Sequence, residues 1–207
     1  MPGRDLWADP LVLYLAAINV ATFALMALDR WLCGRRGTDE ALSRTALTLL
    51  MFAGGAAGGV LAFLLLDRHT NKRNSAWHIF SLMALLGWAL VLAALYVAPL
   101  DPTALKAALC RDHTVLLVYL GVASGVTFLS FVADKLIALW NGRGHDAPRI
   151  PEIVLLLLAL AGGAPGGLLA MLVARHKIRT PVFAAGLPMM LVLQAAAVAY
   201  LLQLGLV

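Results

Sequence analysis

Residues 54–59 read GGAAGG, and residues 162–167 read GGAPGG. Both stretches lie within long apolar segments, and glycines four positions apart fall on one face of a helix. Because glycine has no Cβ, another backbone can approach such a face closely. Two interpretations stay open: close packing of helices, or a helix break that exposes carbonyl groups to a substrate, which Pro165 favours. The glycines assigned to helix packing are Gly54, Gly55, Gly58, Gly59, Gly162, Gly163, Gly166 and Gly167.

The whole chain is too apolar for a water-soluble fold. Of its 207 residues 62% are hydrophobic and 13% are charged, against about 45–50% and about 25% in soluble domains. Crossing the hydrocarbon core takes about 20 apolar residues in a helix, and continuous apolar runs exclude a β-barrel. We therefore predict an all-α integral membrane protein with six transmembrane helices, at about 10–28, 45–66, 79–98, 115–133, 153–174 and 182–202.

The net charge of +5 is spread over the connecting segments. The basic residues form no stripe with interleaved aromatic residues, so we expect contact with anionic lipid headgroups and no nucleic-acid partner. Cys33 and Cys110 have no metal-ligand spacing, and the sequence contains no catalytic triad, zinc signature or nucleotide motif. We predict no cofactor and no metal site, and we disfavour an enzyme without excluding it.

The glycine stretches belong to a longer internal repeat. Its further marks keep the same order at nearly one offset: Tyr14 and Tyr119, Thr22 and Thr127, Asp29 and Asp134, His69 and His176. We predict a first three-helix repeat at 10–99, a linker at 100–114 and a second three-helix repeat at 115–205. Three crossings per copy would turn the second copy upside down, as in many transporters. If a glycine-rich segment failed to span, the copies could instead be parallel.

Charged residues follow several of the apolar segments. Asp29 and Asp134 end the first and fourth segments, and His69 and His176 follow the second and fifth. They are either interfacial charges that complement a partner or a helix dipole, or ligands and relays for an ion or proton. Inverted copies would allow the pairs Asp29–His176 and Asp134–His69. The candidate functional residues are Asp29, Asp134, His69, His176, Lys177, Arg149 and Glu152.

A series of motifs in the second copy resembles a known protein family. It runs Asp134-Lys135, Arg149-Ile150-Pro151-Glu152, Gly162-Gly163 with Gly166, Arg175-His176-Lys177 and Phe183. This order resembles the small YsdA-like bacterial membrane proteins, known as domain of unknown function 1294. The first copy is degenerate and lacks the Arg/Glu pair, so the chain is interpreted as a tandem two-copy form. The resemblance implies a multi-pass protein of a bacterial plasma (inner) membrane and no established activity.

Three function classes stay open. The inverted duplication favours a small-solute or ion transporter or channel. Basic loops and tight glycine packing suffice for a structural, lipid-binding or partner-binding membrane protein, and homo-oligomers are left open. Asp and His residues near the headgroups would suit an enzyme acting on a lipid. A polar mid-membrane cavity would favour transport. A cleft at headgroup depth would favour lipid chemistry, and a closed bundle would favour the structural class.

Overall fold

A computed structural model describes residues 9–38, 41–66 and 75–206 of the chain. Within these ranges the protein is helical and has no β-strand. The predicted all-α class is confirmed, and six helical segments are long and apolar enough to cross a membrane. They run Pro10–Arg36, Arg44–Leu66, Trp77–Val97, Thr114–Asn141, Glu152–Ala174 and Val182–Gln203.

Two of these segments are divided into separate helices. The α-helices are α1 (Pro10–Arg36), α2 (Arg44–Leu50), α3 (Ala56–Leu66), α4 (Ser75–Leu92), α5 (Pro102–Ala108), α6 (Thr114–Asn141), α7 (Glu152–Leu158), α8 (Ala164–Ala174) and α9 (Pro181–Gln203). A wider π-helical turn, Ala93–Val97, follows α4, whereas Met51–Gly55 and Ala159–Gly163 join α2 to α3 and α7 to α8 through one non-helical glycine each. The chain forms two compact units, Met1–Ala89 and Leu90–Val207. The predicted repeat boundaries stay a prediction.

Local sequence signals set the ends of the first long helix. The Asp9 side chain accepts a hydrogen bond from the backbone N–H of Leu11 at 2.9 Å, and Pro10 occupies the first helical position. Both are preferred at a helix N-terminus. At the other end Gly37 adopts the left-handed conformation, with φ of 64°, which commonly ends a helix.

The fifth apolar segment turns back on itself at its glycines. Gly162 has φ of 120° and ψ of −7°, a conformation that glycine adopts far more readily than other residues. Beyond the turn, Lys177 Nζ lies 3.4 Å from Glu152 Oε1. Residues 152 and 177 of a straight helix would lie about 37 Å apart. Glu152–Ala174 is therefore a helical hairpin whose two ends meet.

The returning arm of this hairpin packs along α6. The Tyr119 hydroxyl donates to the Ala161 carbonyl near the tip, and Lys135 Nζ donates to the Ala174 carbonyl at the end of α8. Later residues of the hairpin thus face later residues of α6, so α8 runs parallel to α6. The entering arm, α7, must then run in the opposite direction.

The second apolar segment forms the same kind of hairpin in the first unit. Gly54 has φ of 126° and ψ of −8°. Arg44 begins α2 and Phe63 lies near the end of α3, yet both contact the ring of Trp77. The Arg44 guanidinium carbon lies 4.6 Å from the ring centroid, and the Phe63 ring centroid lies 6.0 Å from it. In a straight helix residues 44 and 63 would be about 28 Å apart.

Glycines beyond each turn let the hairpin backbone lie against a long helix. A Cβ at Gly58 would be 2.0 Å from the Asn19 carbonyl oxygen, and one at Gly166 would be 1.9 Å from the Ser124 carbonyl oxygen. These are backbone atoms, so no side chain can move aside to make room. The glycine stretches therefore combine a helix break at the first glycine with close packing at later ones, and a substrate at the break stays a prediction.

The hairpins correct one expectation about membrane crossing. Hydropathy predicts a single crossing for each apolar segment, and the segments Arg44–Leu66 and Glu152–Ala174 do not make one. Hydropathy counts apolar residues and is blind to a positive φ at one glycine. The inverted arrangement of the copies rests on an odd number of crossings, three per copy. Inversion stays a prediction, but the number of crossings no longer supports it.

Replacing Gly166 by Ala should destabilise the fold strongly, because its methyl group would overlap a backbone oxygen. We expect a loss of about 1–3 kcal/mol, measured by thermal unfolding of the purified chain in detergent. Gly125→Ala on α6 is the matched control, since a Cβ there meets nothing within 4 Å. The control should be neutral or slightly stabilising. Equal melting temperatures for the two variants would contradict the close approach.

A candidate anion-binding cleft in the second unit

Asp134 is the buried centre of a charged cluster in the second unit. It lies on α6, about two turns before the end of that helix, and its side chain is 0% exposed. A carboxylate at such a position is costly unless cations and hydrogen-bond donors compensate it.

Two cationic side chains and one histidine surround the Asp134 carboxylate. Arg149, which precedes α7, places Nε 3.3 Å from Oδ1 and Nη2 3.0 Å from Oδ2, which is the forked geometry typical of Arg–carboxylate pairs. From the turn after α8, His176 Nε2 lies 2.9 Å from Oδ2 and Lys177 Nζ lies 3.3 Å from it. A carboxylate only accepts hydrogen bonds, so Nε2 of His176 carries a proton. Asp134 thereby joins both ends of the hairpin to α6.

Lys177 links this cluster to a second carboxylate. Its Nζ lies 3.4 Å from Glu152 Oε1 and 4.5 Å from the centroid of the Phe183 ring, and its side chain is only 7% exposed. The turn that carries it is strained, because Arg175 and Lys177 have φ of 45° and 59°. Left-handed conformations of residues other than glycine cost about 1–3 kcal/mol and persist where surrounding contacts enforce them.

The cluster forms one wall of a cleft of about 750 Å³ at the open end of the hairpin. Arg175 and Arg179 are exposed on this cleft and make no ion pair with any other residue that the structure describes. The acid in the lining, Glu152, is already paired with Lys177. The cleft therefore carries positive charge that the described residues do not neutralise. Its lining consists of Arg149, Glu152, Arg175, His176, Lys177, Ile178, Arg179 and Thr180.

Asp29 takes a different set of partners in the first unit. It is 9% exposed, and its Oδ1 accepts hydrogen bonds from the backbone N–H groups of Ala41 at 3.1 Å and Leu42 at 2.7 Å. These two residues precede α2, as Arg149 precedes α7. Asp29 therefore holds the loop against α1 by accepting hydrogen bonds from backbone N–H groups. Asp134, in contrast, binds the guanidinium group of Arg149.

The structure brings five of the seven candidate functional residues together: Asp134, Arg149, Glu152, His176 and Lys177. Asp29 lies in the first unit, and His69 lies outside the described residues. The hypothesis that His176 pairs with Asp29 is wrong, because the hairpin returns the end of α8 to α6 and His176 binds Asp134 there. Asp134 does complement charged partners, the loop bases Arg149 and Lys177, while its neighbour Lys135 donates to a carbonyl.

Sequence reasoning did not single out Arg175 and Arg179, which are exposed on the cleft. They belong to a run of four basic residues, Arg175, His176, Lys177 and Arg179. The run is followed by Thr180-Pro181, a helix start, and that combination could have marked a short charged turn. Within the described ranges no group of three or more His, Cys, Asp or Glu side chains could hold a metal ion.

Neighbouring side chains bind the carbonyl groups that the helix breaks set free. In the second unit Gln194 Nε2 donates to the carbonyls of Ala159 at 2.5 Å and Leu160 at 3.0 Å, and Tyr119 donates to the next carbonyl. The first unit has three such bonds, from Tyr14 to Ala53 at 2.7 Å, Asn19 to Gly54 at 2.9 Å and Trp88 to Phe52 at 2.9 Å. The breaks predicted as substrate sites thus have carbonyls that already accept hydrogen bonds from the protein.

The fold defines a helical protein with several potential membrane segments and a basic cleft in its second unit. Residues 124–183 match a family model described as protein of unknown function (DUF1294). This stretch runs from α6 to the start of α9 and includes the charged cluster and the hairpin, and the match supports its assignment to that family. No curated protein and no solved structure matches the chain.

Replacing Asp134 by Asn should leave Arg149 and Lys177 without their shared carboxylate. Removing one partner of a buried ion pair costs about 3–5 kcal/mol, and we expect the lower end because Arg149 is partly exposed. The measurement is reversible unfolding of the purified protein by denaturant. Asp146→Asn, in the exposed part of the loop between α6 and α7, should change stability by less than about 0.5 kcal/mol. Similar losses in both variants would contradict a central role for Asp134.

Proposed function

We propose that the chain is a lipid-binding membrane protein whose second unit holds the phosphate of an anionic headgroup in the cleft beside Asp134. The observation that carries this proposal is the pair of exposed arginines, Arg175 and Arg179, on a cleft whose acid is already paired. The cleft lies at the ends of membrane-length helices, where lipid headgroups would be found. Anionic headgroups are attracted to such basic surfaces with about 1 kcal/mol per Lys or Arg.

The residue types in the cleft suit phosphate. Arginine presents planar, forked donors that match phosphate oxygens. Lys177 and Arg149 are held by Asp134, so they shape the wall, and Arg175 and Arg179 are the side chains free to turn toward a ligand. Ion pairs across the hairpin ends keep the turn at 175–177 in its strained conformation. This fixes the backbone from which the side chains of Arg175 and Arg179 extend.

Binding suits the geometry better than catalysis does. Asp134 is fully buried behind Arg149, His176 and Lys177, so it is not placed to exchange protons with a bound lipid. A cleft at headgroup depth was expected to favour lipid chemistry if Asp134, His69 and Glu152 lined it. Of the two that the structure describes, Glu152 is in the lining and pairs with Lys177, and Asp134 is not in the lining. We therefore propose recognition of the lipid and no reaction on it.

We also propose that the two units are copies of one ancestral unit, in the tandem form that the YsdA-like resemblance suggests. Equivalent positions support this. Each unit has a glycine with φ near 120° at its hairpin tip and a tyrosine that donates to a carbonyl beside that tip. Asp29 binds backbone donors, so the second unit is the one that carries the proposed cleft.

A bacterial inner membrane is the location that we propose for this protein. Six apolar helices suggest a multi-pass membrane protein, and the resemblance points to bacteria. The leaflets of such a membrane would supply the anionic lipid. Self-association of the chain stays a prediction.

Transport of a small solute or an ion is the second candidate. It is favoured by the two broken helices, since discontinuous helices often form the substrate sites of transporters. The carbonyls at both breaks already accept hydrogen bonds from side chains, which leaves fewer groups to coordinate an ion. For this reason we place transport after lipid binding.

Substituting the two exposed arginines should weaken binding of an anionic lipid. We expect Arg175→Gln and Arg179→Gln each to raise the Kd for phosphatidylglycerol about fivefold, and the double variant about 30-fold. Binding is measured by native mass spectrometry of the full chain in neutral detergent, with phosphatidylcholine as the neutral lipid. Arg143→Gln, exposed in the loop before α7 and outside the cleft, should leave the Kd unchanged.

The source of the phosphate is tested with inorganic phosphate as competitor. Weak or no competition at millimolar phosphate is expected if a lipid is the ligand. Tight binding of inorganic phosphate with the same dependence on Arg175 and Arg179 would replace the lipid with a soluble anion. No difference in Kd between the double variant and Arg143→Gln would overturn the cleft itself.

A further inference from the structure

Another cavity of the second unit lies beyond the tip of the hairpin. It has a volume of about 770 Å³ and is walled by the first turns of α6, the tip at 160–162 and the last turns of α9. Asp134 and the basic cleft lie toward the other end of α6. The cavity and the cleft are thus on opposite sides of the hairpin.

This cavity follows from the short reach of the hairpin. Eleven residues lead from Glu152 to Gly162, which corresponds to about 16 Å of helix, whereas the hydrocarbon core is about 30 Å thick. The helices on either side, α6 and α9, have 28 and 23 residues and continue past the tip. Beyond the tip, the hairpin contributes no residues to fill the space between α6 and α9.

The walls of the cavity are mainly apolar. Two polar groups near the tip are already engaged, because the Tyr119 hydroxyl and the Gln194 amide donate to tip carbonyls. Water in a buried cavity needs two to four polar partners, and this part of the lining offers few. The apolar lining includes Val115, Leu116, Leu120, Ala197, Val198 and Leu201.

The other polar residues of the lining are at the far edge of the cavity. Asp112, His113 and Thr114 lie there, where α6 begins. Asp112 Oδ1 accepts hydrogen bonds from the Thr114 backbone N–H at 2.9 Å and from its hydroxyl at 2.6 Å. An apolar interior with a polar edge at the helix start matches a molecule with a hydrocarbon chain and a polar head.

We propose that this cavity holds one hydrocarbon chain of a membrane lipid, drawn from the leaflet opposite the basic cleft. The chain enters beside the start of α6, packs between α6 and α9, and ends against the hairpin tip. Its methylene groups supply the van der Waals contacts that the hairpin does not provide there. This site depends on the hairpin and is independent of the proposed headgroup cleft.

The first test maps contacts of a photoreactive lipid. The full chain is reconstituted in phosphatidylcholine bilayers that contain phosphatidylcholine with a diazirine on one acyl chain, and crosslinks are located by peptide mass spectrometry. We expect crosslinks at Val198 and Leu201. Ala197→Phe fills the cavity and should reduce these crosslinks at least fivefold, without reducing those at Val192, which is 70% exposed on α9.

A matched variant shows whether added bulk alone has an effect. Val192→Phe adds a large side chain to an exposed face of the same helix, and it should leave the crosslinks at Val198 and Leu201 intact. If Ala197→Phe and Val192→Phe give the same crosslinks as the unmodified chain, no lipid chain occupies the cavity and the proposal is overturned.

The second test asks whether water fills the cavity, and it needs no bulky substitution. Ala197→Cys is placed in a chain with Cys33→Ser and Cys110→Ser, reconstituted, and treated with a membrane-impermeant, negatively charged thiol reagent. We expect no labelling, because a hydrocarbon chain excludes the reagent. Rapid labelling would show a water-filled cavity, which would overturn the proposal and favour transport.

Discussion

The close contact between glycine backbones and the long helices is the constraint on which both units depend. Non-helical backbone is tolerated at membrane depth only where protein covers it or where it lines an aqueous cavity. At Gly166 a hydrogen atom is all that fits beside the Ser124 carbonyl, and Gly58 stands in the same relation to Asn19. This contact holds the returning arm against its long helix, so side chains such as Tyr119 and Gln194 can reach the carbonyls that the turn leaves unpaired.

The charged cluster is a consequence of this fold-back. Residues 149 and 177 are separated by a whole apolar segment, and they meet only because that segment returns to its starting side. Asp134 then receives cations from both ends of the hairpin, which compensates the cost of burying its charge. The same geometry leaves Arg175 and Arg179 exposed. A hairpin that spans only part of the core also accounts for the apolar cavity beyond its tip.

Sequence reasoning predicted the helical membrane class, because apolar length and composition determine it. Five of its seven candidate functional residues meet in the cluster, since isolated charges beside apolar segments are rare and visible, but it did not predict that they meet. It did not predict the direction of the chain after Gly54 and Gly162, because a turn at one glycine does not change hydropathy. The hypothesis that His176 pairs with Asp29 failed for the same reason, because His176 binds Asp134. The different surroundings of Asp29 were partly visible, since the first unit lacks the Arg/Glu pair.

The sidedness of the two hairpin ends tests the central claim most directly. Single cysteines at Gly142 and at Ile178, each in a chain that carries Cys33→Ser and Cys110→Ser, are labelled in sealed, oriented vesicles with an impermeant thiol reagent. Gly142 lies just after α6, before the hairpin, and Ile178 lies after α8. A hairpin that returns to its starting side predicts labelling of both cysteines from the same face of the membrane. Labelling from opposite faces would show that Glu152–Ala174 crosses the membrane, and it would contradict the fold-back and the site built on it.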